Sequence, residues 1–241
     1  MLIFNFHHVE AQFRHPSRQI ISITPKGLSR FIRTIRLLGF NIISLREALS
    51  TSNPTANSDR CVVLTFDDGY VNNLEEALPV LEQERCPATV FVLPGRFSGT
   101  NVWDQGDLPE AERDQLMSIE QMQTLADSPY MTLGSHGMLH RHFPELNDEE
   151  LRFELHESHR ILSELFPNAY LPVMAYPWGE YDQRVVDMMA ETPYAYGMTV
   201  ETRPWKASDH RFTVPRFSAF DRDGNPAILL GKLLRHKLLF A

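Results

Sequence analysis

This sequence predicts an α/β fold built on a parallel sheet, with a barrel favoured over an open doubly wound sheet, and three observations carry that reading. Apolar runs of strand length alternate along the chain with longer segments of helical periodicity. The strand-like runs, such as Cys61-Val-Val-Leu-Thr-Phe66, are continuously apolar rather than alternating, as in strands buried on both faces. About seven of them fall within a single span of 241 residues, which favours a barrel.

In order, residues 2–9 form the first apolar strand. Thr24 caps a helix with Pro25 at its first position, and Gly39 closes that helix after Ile35, Leu37 and Leu38. A short strand over Phe40–Ser44 and a short helix over Leu45–Ser50 follow, and polar Thr51–Arg60, with Pro54, is a surface loop. The Cys61–Phe66 strand leads into a helix over Asn73–Arg85, and Ala88–Leu93 is the next buried strand. Residues 94–117 are irregular and acidic and read as a lid or insertion. Ser118 and Gln121 make a capping box for a helix ending near Asp127. Beyond it come a strand at Tyr130–Leu133, a long helix at Asp148–Phe166, a strand at Pro172–Tyr176 and a helix at Asp182–Ala190. Strands at Ala195–Val200 and Phe212–Phe217 precede a last helix, Pro226–Leu239.

Composition narrows the function. Apolar residues make up 43% and charged residues 22%, an ordinary globular balance. The net charge of -8 argues against nucleic acid as a partner, since binders of it carry a basic excess. Cys61 and Cys86 form no Cys-x-x-Cys pair and read as core residues. Met1–Val9 lacks a basic n-region and a cleavage site, and no apolar run approaches the roughly 20 residues of a transmembrane segment. The expectation is a cytoplasmic protein.

The strongest chemical signal is Leu64-Thr-Phe-Asp-Asp-Gly-Tyr70. Two adjacent aspartates end an apolar strand, where a buried carboxylate needs a cation or strong hydrogen bonds. Both border one pocket only if the chain bends there, and Gly69 permits a sharp turn; the bland alternative is a turn that caps the next helix. The second signal is Gly134-Ser-His-Gly-Met-Leu-His140, also directly after a strand. Two imidazoles and a carboxylate from two strand ends match a three-ligand metal site with room for water. Such an ion lowers the pKa of water and polarises an amide carbonyl. Asp68, His136 and His140 are the candidate ligands, and Asp67 stands beside them as candidate base. Phe6-His-His-Val9 ends the first strand on the same face and offers a histidine as acid.

Thr65-Phe-Asp-Asp-Gly69 and His136-Gly-Met-Leu-His140 resemble the first two motifs of the polysaccharide deacetylases, carbohydrate esterase family four with its NodB homology domain. The resemblance implies a distorted (β/α)7-type barrel over 1–241 as a single domain. It also implies one divalent ion, zinc first, with nickel, cobalt or manganese as other occupants, and an N-acetylated saccharide as substrate. By position, Asp67 is the base and Asp68, His136 and His140 are the ligands. Ala175-Tyr-Pro-Trp-Gly179 resembles the third motif, with Pro177 and Gly179 matching and Ala175 standing where the motif has an arginine. Trp178 inherits the backbone oxyanion role there, flanked by Pro177 and Tyr176. Arg216, in Val214-Pro-Arg216, is the candidate replacement for the arginine that braces the base. Phe6-His7-x-Val9 resembles the start of a permuted branch that includes poly-N-acetylglucosamine deacetylases, which makes His7 rather than His8 the acid.

Two other functions remain open at this stage: hydrolysis of a non-sugar amide on the same fold, and sugar binding without catalysis. His142, His156 and His159 read as solvated, and Trp103, Trp178 and Trp205 as sugar-stacking or packing residues. The final helix, with Lys232, Arg235 and Lys237, reads as docked with a solvated basic face.

Overall fold

The computed structural model describes residues 1–13, 21–50, 60–103, 113–206 and 208–239. Ten strands are described: β1 (Leu2–Phe6), β2 (His8–Val9), β3 (Ser22–Ile23), β4 (Asn41–Ile42), β5 (Cys61–Phe66), β6 (Ala88–Val92), β7 (Met131–Ser135), β8 (Tyr170–Ala175), β9 (Tyr196–Met198) and β10 (Phe217–Ser218). The helices are α1 (Pro25–Leu37), α2 (Leu45–Leu49), α3 (Leu78–Gln83), α4 (Ile119–Ala126), α5 (Asp148–Leu165), α6 (Gln183–Ala190) and α7 (Pro226–Leu239). The main sheet runs β10-β1-β5-β6-β7-β8-β9, and every pairing between described strands is parallel. The ring is completed by residues 214–218: Val214 bridges Met198 on β9, and Phe217 pairs with Phe4 on β1. This is the expected distorted barrel.

Side-chain alternation sorts the strand residues into two cores. Leu2, Phe4 and Phe6 of β1, Val62, Leu64 and Phe66 of β5, and Val90 and Val92 of β6 pack outward with Leu28, Phe31 and Ile32 of α1 and the other helices. Ile3, Val63, Phe91, Val173, Ala175, Met198 and Val214 fill the barrel interior. Gly134 lies inside, where a Cβ would stand 2.4 Å from the Phe91 ring, so a side chain there would displace that ring from the inner core.

The first strand is shorter than expected. β1 stops at Phe6, and beyond His7 the chain leaves the barrel to pair β2 with β3, His8 N donating to Ile21 O at 3.3 Å. His7 sits at the junction. The strand expected at Phe40–Ser44 contracts to Asn41–Ile42, because β4 shares one edge of β5 with β6: β4 pairs with Cys61 and Val62, β6 with Thr65 and Phe66. The helix expected at Asn73–Arg85 begins as a wide π-type turn over Asn73–Ala77 before α3. Pro79 has no N–H to bond one turn back, and its ring crowds the carbonyl there. The strand expected at Phe212–Phe217 is split at Pro215, with Val214 bonded to β9 and Phe217 to β1.

Helix ends follow the sequence. Thr24 Oγ1 accepts from Gly27 N at 3.0 Å, and the Ser118–Gln121 capping box is formed. Both cysteines are buried and neither forms a disulfide. Trp205 packs beneath the barrel against the chain start, its main-chain N–H donating to Met1 O at 3.0 Å. Lys232 is not on a solvated face: it turns inward to Ser218 O at 2.6 Å and Asp223 at 2.8 Å. The loop at Thr51–Arg60, except Arg60, and residues 104–112 of the 94–117 segment lie outside the described residues. No helix among the described residues is long and apolar enough to cross a membrane.

Candidate active site

Segments at the carboxyl ends of six barrel strands, β1, β5, β7, β8, β9 and β10, converge on one cavity of about 230 Å³. On β5 the ladder continues one residue past the strand, Asp67 N donating to Phe6 O at 2.9 Å. Asp68 and Gly69 then take φ values of 73° and 75° and turn the chain. That bend lets two successive aspartates line the same cavity. At Gly69 a Cβ would lie 2.9 Å from Val92 Cγ1, so the turn is closed to other residues on both counts.

The histidine segment leaves β7 with His136 N bonded to Val92 O at 2.9 Å. It is then gathered by Glu154 of α5, whose Oε2 accepts from Met138 N at 2.6 Å and Leu139 N at 3.1 Å. Glu154 is fully buried, and burial raises its pKa against the lowering effect of those two N–H groups. His140 has φ 62°. The outcome is that His136 Nε2 and His140 Nε2 lie 3.4 and 3.3 Å from the same oxygen, Asp68 Oδ1.

These atoms fit a metal ion. Ligand atoms at about 2.0–2.1 Å from a tetrahedral ion stand about 3.3–3.4 Å apart. Asp68 Oδ1 is buried and has no hydrogen-bond partner among the described residues, an arrangement that a cation would satisfy. His136 Nδ1 donates to Ala175 O at 2.8 Å, which leaves the Nε2 lone pair facing Asp68. Burial lowers the His136 pKa to about 4, against Asp67 and Asp68, so its imidazole is neutral as a ligand must be. Burial raises the Asp68 pKa, but the imidazoles of His140 and His136 more than reverse this, and the carboxyl stays ionised.

Asp67 is held differently. Arg216, fully buried between the two halves of the split strand, grips both its oxygens at 2.8 and 2.9 Å. The guanidinium is fixed in turn by Thr199 O at 3.1 Å and Thr65 Oγ1 at 3.2 Å. Burial pushes the Asp67 pKa up, and Arg216 and His136 bring it below the ordinary carboxylate range. The guanidinium missing at Ala175 thus reaches Asp67 from another strand.

The remaining wall comes from β8. Tyr176, Trp178 and Gly179 line the cavity, while the Tyr176 hydroxyl is spent on Phe212 O at 2.9 Å. Pro177 is buried behind them. Trp178 has φ 61°, rare for a bulky residue and typical of a backbone held for a purpose. His7 lines the opposite side, and Trp103 a third. His8 points elsewhere, into a group with Glu10 and Asp114.

Two expectations need correction. His142 is half-buried, stacked on Trp178 at 5.0 Å and paired with Glu180 at 2.7 Å. His159 is half-buried with Nδ1 3.0 Å from Tyr170 Oη; only His156 of the three is exposed. The residue that sequence reasoning missed is Glu154. Its signal was available, since it falls on the stripe of Leu151, Leu155, Ser158 and Leu162 that α5 buries.

A family model described as polysaccharide deacetylase matches residues 55–197. The chain is 27% identical over 164 residues to YxkH of Bacillus subtilis, a candidate polysaccharide deacetylase, an alignment covering 68% of this chain and 53% of that one. It is 20% identical over 198 residues to the poly-beta-1,6-N-acetyl-D-glucosamine N-deacetylase of Staphylococcus epidermidis, covering 81% of this chain and 67% of that one. The chain therefore spans about half the length of the first relative and two thirds of the second. Among solved structures it shares its fold with the Streptococcus pyogenes deacetylase PplD, with a TM-score of 0.78, 19% identity and 97% of each chain covered.

Proposed function

The chain belongs to the polysaccharide deacetylase family, and from that premise we propose that it removes the acetyl group from an N-acetylated saccharide by metal-assisted hydrolysis. The observation that carries this is the convergence of Asp68 Oδ1, His136 Nε2 and His140 Nε2 beside an arginine-braced carboxylate in one cavity. Asp68, His136 and His140 hold one divalent ion, zinc before nickel, cobalt or manganese. When bound, the ion lowers the pKa of water and polarises the amide carbonyl. Asp67 takes the proton from the attacking water; its pairing with Arg216 leaves each oxygen a second lone pair and keeps the group anionic at neutral pH. The Trp178 main-chain N–H supports the oxyanion, with Pro177 and Tyr176 fixing its position. His7, across the cavity, protonates the leaving sugar amine. Acetate and free amine are the products. Residues 1–241 act as one such unit, and Trp103, from the described part of the 94–117 segment, contributes to the wall.

Sugar binding without catalysis has one departure in its favour, Ala175 in place of the motif arginine, and Arg216 offsets it. The test is acetate release from a panel of N-acetylated oligosaccharides, with and without a chelator, for wild type and Asp67→Asn. Release should be chelator-sensitive, and Asp67→Asn should retain the ion and lose turnover by about 10²–10⁴-fold. Full release by Asp67→Asn overturns the base assignment. Release from non-sugar amides alone transfers the reading to that substrate class.

A further inference from the structure

We infer that Trp103 is a positioning residue that holds the His140 imidazole by ring stacking, in place of the hydrogen bond that orients the other imidazole; this rests on the metal reading above. The two rings are supported unequally. His136 has its Nδ1 fixed by Ala175 O at 2.8 Å. His140 Nδ1 is buried and has no hydrogen-bond partner among the described residues. A metal-ligating imidazole ordinarily commits its second nitrogen to an acceptor, which sets the plane and tautomer of the ring. His140 is set by aromatic faces instead. The Trp103 indole lies parallel to it, with centroids 4.3 Å apart and planes 9° apart, and Trp178 meets it edge-on at 5.0 Å and 79°.

Trp103 can serve because its own segment is tied to both ligand-bearing turns. Gly95 N donates to Met138 O at 3.2 Å, between the two histidines in sequence. The partner stretch, bridged to Thr100 through Gln115, bonds to the aspartate turn, Met117 N donating to Gly69 O at 3.0 Å. Among the described residues the buried indole Nε1 has no partner, and Trp103 meets His140 through its face.

The test separates this role from sugar stacking by working without sugar. Metal-free wild type, Trp103→Ala and Trp103→Phe are titrated with zinc against a competing chromophoric chelator. Trp103→Ala should bind zinc about tenfold more weakly, and Trp103→Phe, which keeps an aromatic face, should recover most of the loss. In the proton spectrum of metal-free wild type the His140 ring signals should be shifted upfield by the indole, and the shift should vanish in Trp103→Ala. Trp103→Leu replaces Trp103→Ala if the latter fails to fold. Stoichiometric zinc in wild type with unchanged affinity in the folded variant overturns the role of Trp103 alone, as does the absence of the upfield shift. Absence of zinc binding by wild type overturns the metal reading itself, and this inference with it.

Discussion

Asp68, His136 and His140 make one close group of buried carboxylate and imidazole, and His8, Glu10 and Asp114 make a second, equally buried. In the first, two imidazoles turn Nε2 toward one oxygen from 3.4 and 3.3 Å. In the second, one imidazole lies between two carboxylates, Nδ1 3.7 Å from Glu10 and Nε2 3.7 Å from Asp114. The His8 face is covered by Tyr70 at 3.8 Å, and Asn72 reaches its Nδ1 at 3.2 Å. All three residues of the first group line the cavity, and none of the second is among its lining residues. Residue type and proximity are therefore shared by both groups. What differs is that only the first group opens onto a cavity with room for water. The second group is a polar buttress that joins β2 to the segment carrying Asn101 and Asp114, whose backbone and side chains are cross-bonded.

The largest test of that contrast is His136→Ala. It should remove stoichiometric metal, measured by elemental analysis of dialysed protein, and reduce acetate release to background; full metal retention would break the comparison at its stronger side. Arg216→Ala comes next. It strands the Asp67 carboxylate in the barrel interior without its partner, a loss of about 3–5 kcal/mol, visible as a melting temperature lower by roughly 6–20 °C in a chain of this size. An unchanged melting curve would mean that the pair does not brace the site. The smallest effect belongs to His8→Gln. It should cost about 1–2 kcal/mol in stability and leave the metal content at one equivalent. A second equivalent in wild type that disappears in this variant would make the two groups alike.

Much of the site was legible before the fold. Asp67, Asp68, His136 and His140 stood out because ionisable residues directly followed apolar runs, where only a cation or hydrogen bonds can compensate burial. Arg216 was legible only as a candidate. Its pairing with Asp67 depends on Pro215 splitting the last strand so that 214 joins β9 and 217 joins β1. Glu154 was hidden because a charged residue on a long helix reads as solvated unless the buried stripe is phased with care. Trp103 was ambiguous between sugar stacking and packing, and which ring it meets depends on contacts with two distant turns.

By itself the sequence determined the alternation of strand and helix, the parallel sheet, the caps at Thr24 and Ser118, and the four residues around the candidate ion, since these depend on local periodicity, turn chemistry and the cost of burying charge. Only the tertiary structure decided which side chains face the barrel interior, that residues 214–218 close it, and that β1 breaks at His7. It also decided which histidine cluster opens onto the cavity. Those outcomes are set by pairings between residues far apart in the chain, Asp67 with Arg216 and His136 with Ala175 among them, and no local pattern encodes a distance across the barrel.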